Sequence, residues 1–184
     1  MRKKTTFVED LAAFGKIRVL TLSAMLIAMS VIIGYFCKNF LTFNVYYRIT
    51  FENLPVIFAG VLFGPFVGAV VGFVSDAVSC LISSNPNINP IISAGAILVG
   101  FTSGLVSHHI SFKNDNVRLI TSVALAHLFG QVIVKSIGKI LWYGMPWWGV
   151  FLGLGTSIIV GTLEFFAIRA LLNNYGIRKD INKI

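Results

Sequence analysis

Apolar residues run along this chain in long blocks, without the i, i+3, i+4 spacing of a water-facing helix or the strict alternation of a half-buried strand. The blocks predict helices over residues 18–36, 52–63, 66–83, 91–107, 117–143 and 148–172, with the second too short to cross a bilayer upright. Between them, 37–51, 64–65, 84–90, 108–116 and 144–147 collect the Gly, Pro, Asn and charged residues that break helices. A helix needs roughly 20 apolar residues to cross a hydrocarbon core of ~30 Å. The pattern therefore predicts an all-α integral membrane protein of six transmembrane helices, forming one membrane-embedded domain over 1–184 with short cytoplasmic segments at 1–17 and 173–184.

Composition agrees. The 184 residues are 56% hydrophobic and 12% charged, against roughly 45–50% and about 25% for a soluble domain. The first apolar run starts near Val19 and is followed by no small-residue cleavage site, so it is expected to be retained as a span. Basic residues near span ends stay on the cytoplasmic side. Arg2, Lys3, Lys4, Lys16, Arg18, Lys113, Arg118, Arg169, Arg178, Lys179 and Lys183 all fall on the N-terminal side of the predicted layout, against Lys38 and Arg48 on the other. Both termini are expected in the cytoplasm. The net charge of +8 then follows from topology and calls for no nucleic acid. Cys37 and Cys80 lie at the predicted outer ends of different helices without CxxC or Cys/His neighbours, and read as apolar fillers, so no metal is implied.

Gly60, Gly64, Gly68 and Gly72 recur every fourth residue, the spacing that lets helix backbones approach closely in lipid. Ala24 and Ala28 form a smaller pair of the same kind, open to two readings: internal packing, or contact with another membrane protein.

The fifth block carries the chemistry. His127, Gln131, Lys135 and Lys139 are four residues apart, a polar stripe that leads to Trp142 and Tyr143. A lysine in hydrocarbon costs about 2.5–3.5 kcal/mol even on lenient scales, which makes an intramembrane Lys a candidate functional residue. Of the acids at or near membrane depth, Glu52, Asp76 and Glu164, Asp76 is the expected internal partner of Lys135, and Glu164 should lie toward the inner half of its helix. That leaves surplus positive charge on the outer side, to which Arg48 adds, and surplus Lys and Arg favour an anionic ligand. Tyr47, Trp142, Tyr143 and Trp147 offer rings for stacking, and Asn87 in the neighbouring loop offers an amide. No GxxxxGK[ST] phosphate loop, HExxH or readable Ser/His/Asp or Cys/His set occurs. His108 and His109 are expected in a polar loop without acidic partners, and His127 as a hydrogen-bonded structural group. No enzyme and no cofactor is predicted.

Ala24-Met25-Leu26-Ile27-Ala28 resembles the AxxxA motif of the substrate-binding S-components of energy-coupling factor (ECF) vitamin transporters. The stretch from Arg48 through Glu52-Asn53-Leu54-Pro55, with Gly64-Pro65 and Gly72-Phe73-Val74-Ser75-Asp76, is similar to the second and third helices of that family, in its folate-specific branch. The resemblance implies a six-helix subunit of the cell membrane that captures a vitamin from outside. It would associate with a membrane T-component and two cytoplasmic ATPases that power delivery as an ABC-type importer, with Ala24 and Ala28 on the T-component contact. Folate would suit the predicted pocket, its flat rings against Trp and Tyr and its glutamate against Lys and Arg. Another vitamin such as riboflavin, or a small multispan enzyme of lipid metabolism, is the alternative.

Overall fold

The computed structural model describes residues 7–41, 49–82, 89–110, 112 and 114–173. The chain runs through a short helix α1 (Phe7–Ala12) into α2 (Ile17–Phe40), α3 (Asn53–Phe63), α4 (Pro65–Leu81), α5 (Pro90–His109) and α6 (Asp115–Ala126). A π-helical stretch, His127–Val134, joins α6 to α7 (Lys135–Tyr143) in one continuous rod, and α8 (Gly149–Asn173) follows. No strand occurs among the described residues. Helix α2, α5, the α6–α7 rod of 29 residues and α8 are long and apolar enough to cross a membrane, whereas α3 and α4 are shorter.

Local sequence explains the breaks. Gly64 adopts φ 101°, a conformation that favours glycine, and Pro65 stands at the first position of α4, so the chain reverses there in a single residue. Pro55 is accommodated in the first turn of α3, where its missing N–H would have had no intrahelical partner. Asn89 caps α5 by accepting hydrogen bonds from the Ile91 and Ile92 amides at 3.0 and 3.4 Å. The α7 helix ends at Gly144 in a left-handed conformation.

Helix α3 is the central column. Pro55 through Phe63 are buried all round, and α2, α4, α5, α6 and α8 all touch it. The glycine spacing seen in the sequence serves this packing: a Cβ on Gly60 would come within 2.6 Å of the Gly100 carbonyl oxygen on α5. Gly68 and Gly72 meet the same helix at Gly100 and Ala96, so α3, α4 and α5 form a tightly apposed trio. The outer helices show their apolar residues instead, among them Met25, Ile32, Phe36, Phe151, Ile158 and Phe166. Large exposed apolar surface on every outer helix is what lipid, and not water, accepts. Ala24 and Ala28 lie on this exposed side of α2, whereas Ser23 faces inward. They do not serve internal packing.

Two expectations change. Helix α2 continues through Lys38 to Phe40, because nothing from Phe36 to Phe40 breaks it. Lys38 therefore stands in the last turn of a helix rather than in an external loop, and its Nζ donates to the Ser79 carbonyl at 3.2 Å. His108 and His109 are likewise the last turn of α5 and do have an acidic partner. Asp10 is buried between them, with its two oxygens 3.3 Å from His108 Nδ1 and 2.9 Å from His109 Nε2. Only the fold brings residues so distant in sequence together.

Candidate functional site

Helices α3 and α4 start from the same turn at Gly64, but their lengths differ. The 11 residues of α3 rise about 16 Å and the 17 of α4 about 26 Å. Helix α3 thus stops well short of its neighbours, and above its N-terminus the surrounding helices have only one another and the returning chain to face. Polar residues collect in that recess.

The recess is lined by Ser30 and Lys38 of α2, Glu52 and Asn53 at the start of α3, Ser75, Asp76 and Ser79 of α4, and Lys135 of α7. Val56, Gly72 and Ala96 form its apolar floor. Ser30 Oγ donates to the Glu52 carbonyl at 2.7 Å, which fixes the backbone where the chain enters α3. Lys135 Nζ lies 3.7 Å from Glu52 Oε1, and Asn53 Nδ2 donates to Gln131 Oε1 at 3.3 Å. Ser93 Oγ on α5 donates to Asp76 Oδ2 at 2.7 Å. The Ser75 hydroxyl is buried with no hydrogen-bond partner. Two glycines make room: a Cβ on Gly95 would meet Lys135 Cγ at 2.6 Å, and one on Gly34 would meet Glu52 Oε2 at 2.9 Å. The long Lys135 stem therefore crosses α5 only because residue 95 has no side chain.

The partner of Lys135 is Glu52, not Asp76. Sequence spacing could not show this, because it depends on α3 ending at the level of Lys135. The expected surplus of positive charge also changes: within the recess Lys38 and Lys135 meet two carboxylates, Glu52 and Asp76. Such a mixed lining can answer both acceptors and donors on a ligand. Its free cavity is ≈ 20 Å³, room for about one water.

The polar stripe read from the sequence divides. Gln131 and Lys135 face α3, as the two contacts above show. His127 faces α8, where its Nε2 hydrogen-bonds Glu164 Oε2 at 2.7 Å, both side chains being buried. The π-helical turns between them widen the spiral, so residues four apart do not keep the register of an ordinary helix. Beside His127, an apolar groove of ≈ 490 Å³ opens between α6 and α8, lined by residues such as Ile120, Leu128, Ile158 and Phe165. Lys139 is half-buried, while Trp142, Tyr143 and Trp147 at the end of the rod and in the turn beyond it are exposed and stand apart from the recess. Tyr47, Arg48 and Asn87 lie outside the described residues.

Sequence reading missed Glu52, Asn53, Lys38, Ser30, Ser75, Ser79 and Ser93 as contributors. The signal for Asn53 was present: Glu52-Asn53 precedes an apolar segment too short to cross a bilayer, which places both at membrane depth. Nothing in spacing singles out the serines, which are common small residues in membrane helices.

The model of the family described as "ECF transporter, substrate-specific component" matches residues 18–175. No curated protein matches the chain. Among solved structures, one described as "Crystal structure of FolT bound with folic acid" has a TM-score of 0.69 and 24% sequence identity, covering 85% of this chain and 93% of that one. At this identity the likeness establishes the fold. With the family model running from the start of α2 to the end of α8, the chain belongs to the substrate-specific components of ECF transporters, multi-pass membrane proteins that bind a transported small molecule and are not enzymes.

Proposed function

We propose that this chain is the high-affinity folate-binding subunit of an ECF-type importer. The observation that carries the reading is the recess above α3, where polar side chains from α2, α3, α4, α5 and the α6–α7 rod converge around the buried Lys135. Buried polar groups in an otherwise apolar bundle are retained for a ligand more readily than for stability, since each costs free energy to bury. The neighbour whose description names folic acid makes folate the first candidate. Folate supplies what the lining can use: N–H donors for Asp76 and carboxylates for Lys135.

In this reading Gln131 and Lys135 engage the ligand from the rod, braced at His127. Tyr47, Arg48 and Asn87 are further candidate ligand contacts, and Lys139, Trp142, Tyr143 and Trp147 line its route from the outside. A vitamin exceeds the present cavity, so the recess must widen as it binds. The chain crosses the membrane six times with both termini in the cytoplasm. Delivery requires a T-component, docked on the exposed Ala24 and Ala28, and two ATPase subunits, because the chain has no phosphate-cradling loop of its own.

Binding of folate, riboflavin and thiamine to the purified chain, measured by calorimetry, tests the proposal. Folate is expected to bind tightly and the other two weakly or not at all. Preference for riboflavin or thiamine would overturn the folate assignment. Vesicles holding only this chain are expected to hydrolyse no ATP and accumulate no labelled folate.

A further inference from the structure

The recess holds two contacts of one design. Glu52 and Asn53 are consecutive, at the start of α3, and they engage Lys135 and Gln131, which are four apart on the facing rod. Each contact occupies a polar group of the rod that the proposed function assigns to the ligand. A cavity of ≈ 20 Å³ leaves no way for a vitamin to reach those groups while both contacts stand.

We propose that Glu52 and Asn53 are built-in stand-ins for the ligand, which binds by displacing them from Lys135 and Gln131; this rests on the reading of the recess as the vitamin site. The geometry suits exchange. At 3.7 Å the Lys135–Glu52 contact is longer than the roughly 2.7–2.9 Å of a tight charge-assisted hydrogen bond, so the lysine keeps donor capacity. The backbone of Glu52 is anchored independently through Ser30, so its carboxylate can turn away while the chain stays in place. Its second oxygen already lies over Gly34, and Lys38 stands one turn further along that face of α2, close enough to line the same recess. A released carboxylate is therefore not left without a cation.

The displaced groups describe the ligand. Glu52 offers Lys135 an anionic oxygen, and Asn53 offers Gln131 an N–H donor. The ligand class is accordingly one that carries a carboxylate and an amide N–H close together, as an acylated glutamate does. Glu52 and Asn53 would then set specificity by internal competition: a ligand with only one of the two groups leaves one contact closed.

The experiment compares the full chain with its Glu52→Gln and Asn53→Ala variants, titrated with folate and with the uncharged pterin ring alone. Glu52→Gln is expected to bind folate about tenfold tighter, because Lys135 no longer has a resident anion to give up. Its affinity for pterin should stay unchanged, so the ratio between the ligands shifts. Asn53→Ala removes no charge, serves where loss of the carboxylate impairs folding, and is expected to tighten folate binding about threefold. Folate binding that is unchanged or weaker in either folded variant would overturn the proposal, since Glu52 or Asn53 would then be a ligand contact or a structural group. No folate binding by the unaltered chain would instead overturn the reading on which it rests.

Discussion

The pairs His127–Glu164 and Lys135–Glu52 sit about two turns apart on one helical rod, and both join a basic to an acidic residue within the bundle. Their surroundings differ. His127 and Glu164 meet at 2.7 Å, fully enclosed, beside a groove of apolar side chains. Lys135 and Glu52 stand 3.7 Å apart among serines, an asparagine and a second carboxylate. The first pair has the closeness of a contact that holds two helices together. The second has the looseness of one that can be exchanged. A stripe of polar residues at regular spacing thus makes two kinds of contact, and only the partners across the interface tell them apart.

Replacing one member of each pair sharpens this contrast. Glu164→Ala should have the largest effect on the fold, because it leaves His127 buried beside a vacancy; breaking an enclosed pair costs about 3–5 kcal/mol. A clear fall in thermal stability is expected, with the folate affinity of the folded fraction kept within about twofold. Lys135→Met should show the reverse emphasis, a smaller loss of stability with folate affinity weakened about ten- to a hundredfold. If both variants lose stability and affinity in parallel, the two pairs are equivalent and the distinction fails.

A smaller effect is expected at Gly95. A side chain there would meet the Lys135 stem, so Gly95→Ala should shift the ammonium without deleting it and weaken folate by roughly three- to tenfold. Smallest of all, Ala24→Trp or Ala28→Trp should leave stability and folate binding unaltered, because both residues face outward from α2. Co-purification with the T-component should be lost, since a bulky group prevents close helix approach. Retained assembly would remove these alanines from the partner surface.

The helices were legible where strong breakers bound an apolar block; Gly64-Pro65 and Asn89-Pro90 mark ends that agree with the structure to within a residue or two, whereas α2, with no breaker from Phe36 to Phe40, runs four residues past its expected end. Lys135 was legible as a candidate because a lysine at that depth needs a reason, and it does line the recess. Its partner was not, since the pairing with Glu52 depends on where α3 stops relative to the rod, a tertiary fact. The split of the stripe was hidden for a second reason: spacing arguments assume an ordinary helical period, and His127–Val134 departs from it. His108 and His109 seemed isolated for the same kind of reason, as their acid, Asp10, arrives from the far end of the chain.

The short α3 also bears on how the protein is made. A segment of 11 residues cannot be handed to the bilayer by the insertion machinery as a span in its own right, for it falls well short of the ~20 residues required. It must enter together with α4 as a hairpin, folded at Gly64, and remain at risk of slipping back until α2 and α5 have closed around it. The backbone just before it, non-helical at 49–51, would otherwise expose bare amides to lipid. Part of this backbone finds protein partners as the chain returns: the Ile49 N–H donates to the Leu41 carbonyl at 3.2 Å, and the Phe51 carbonyl accepts from the Leu54 N–H at 3.1 Å. The recess can therefore close only once α3 is seated, and a chain in which it is not would carry Glu52 into hydrocarbon, where an acidic side chain is costly.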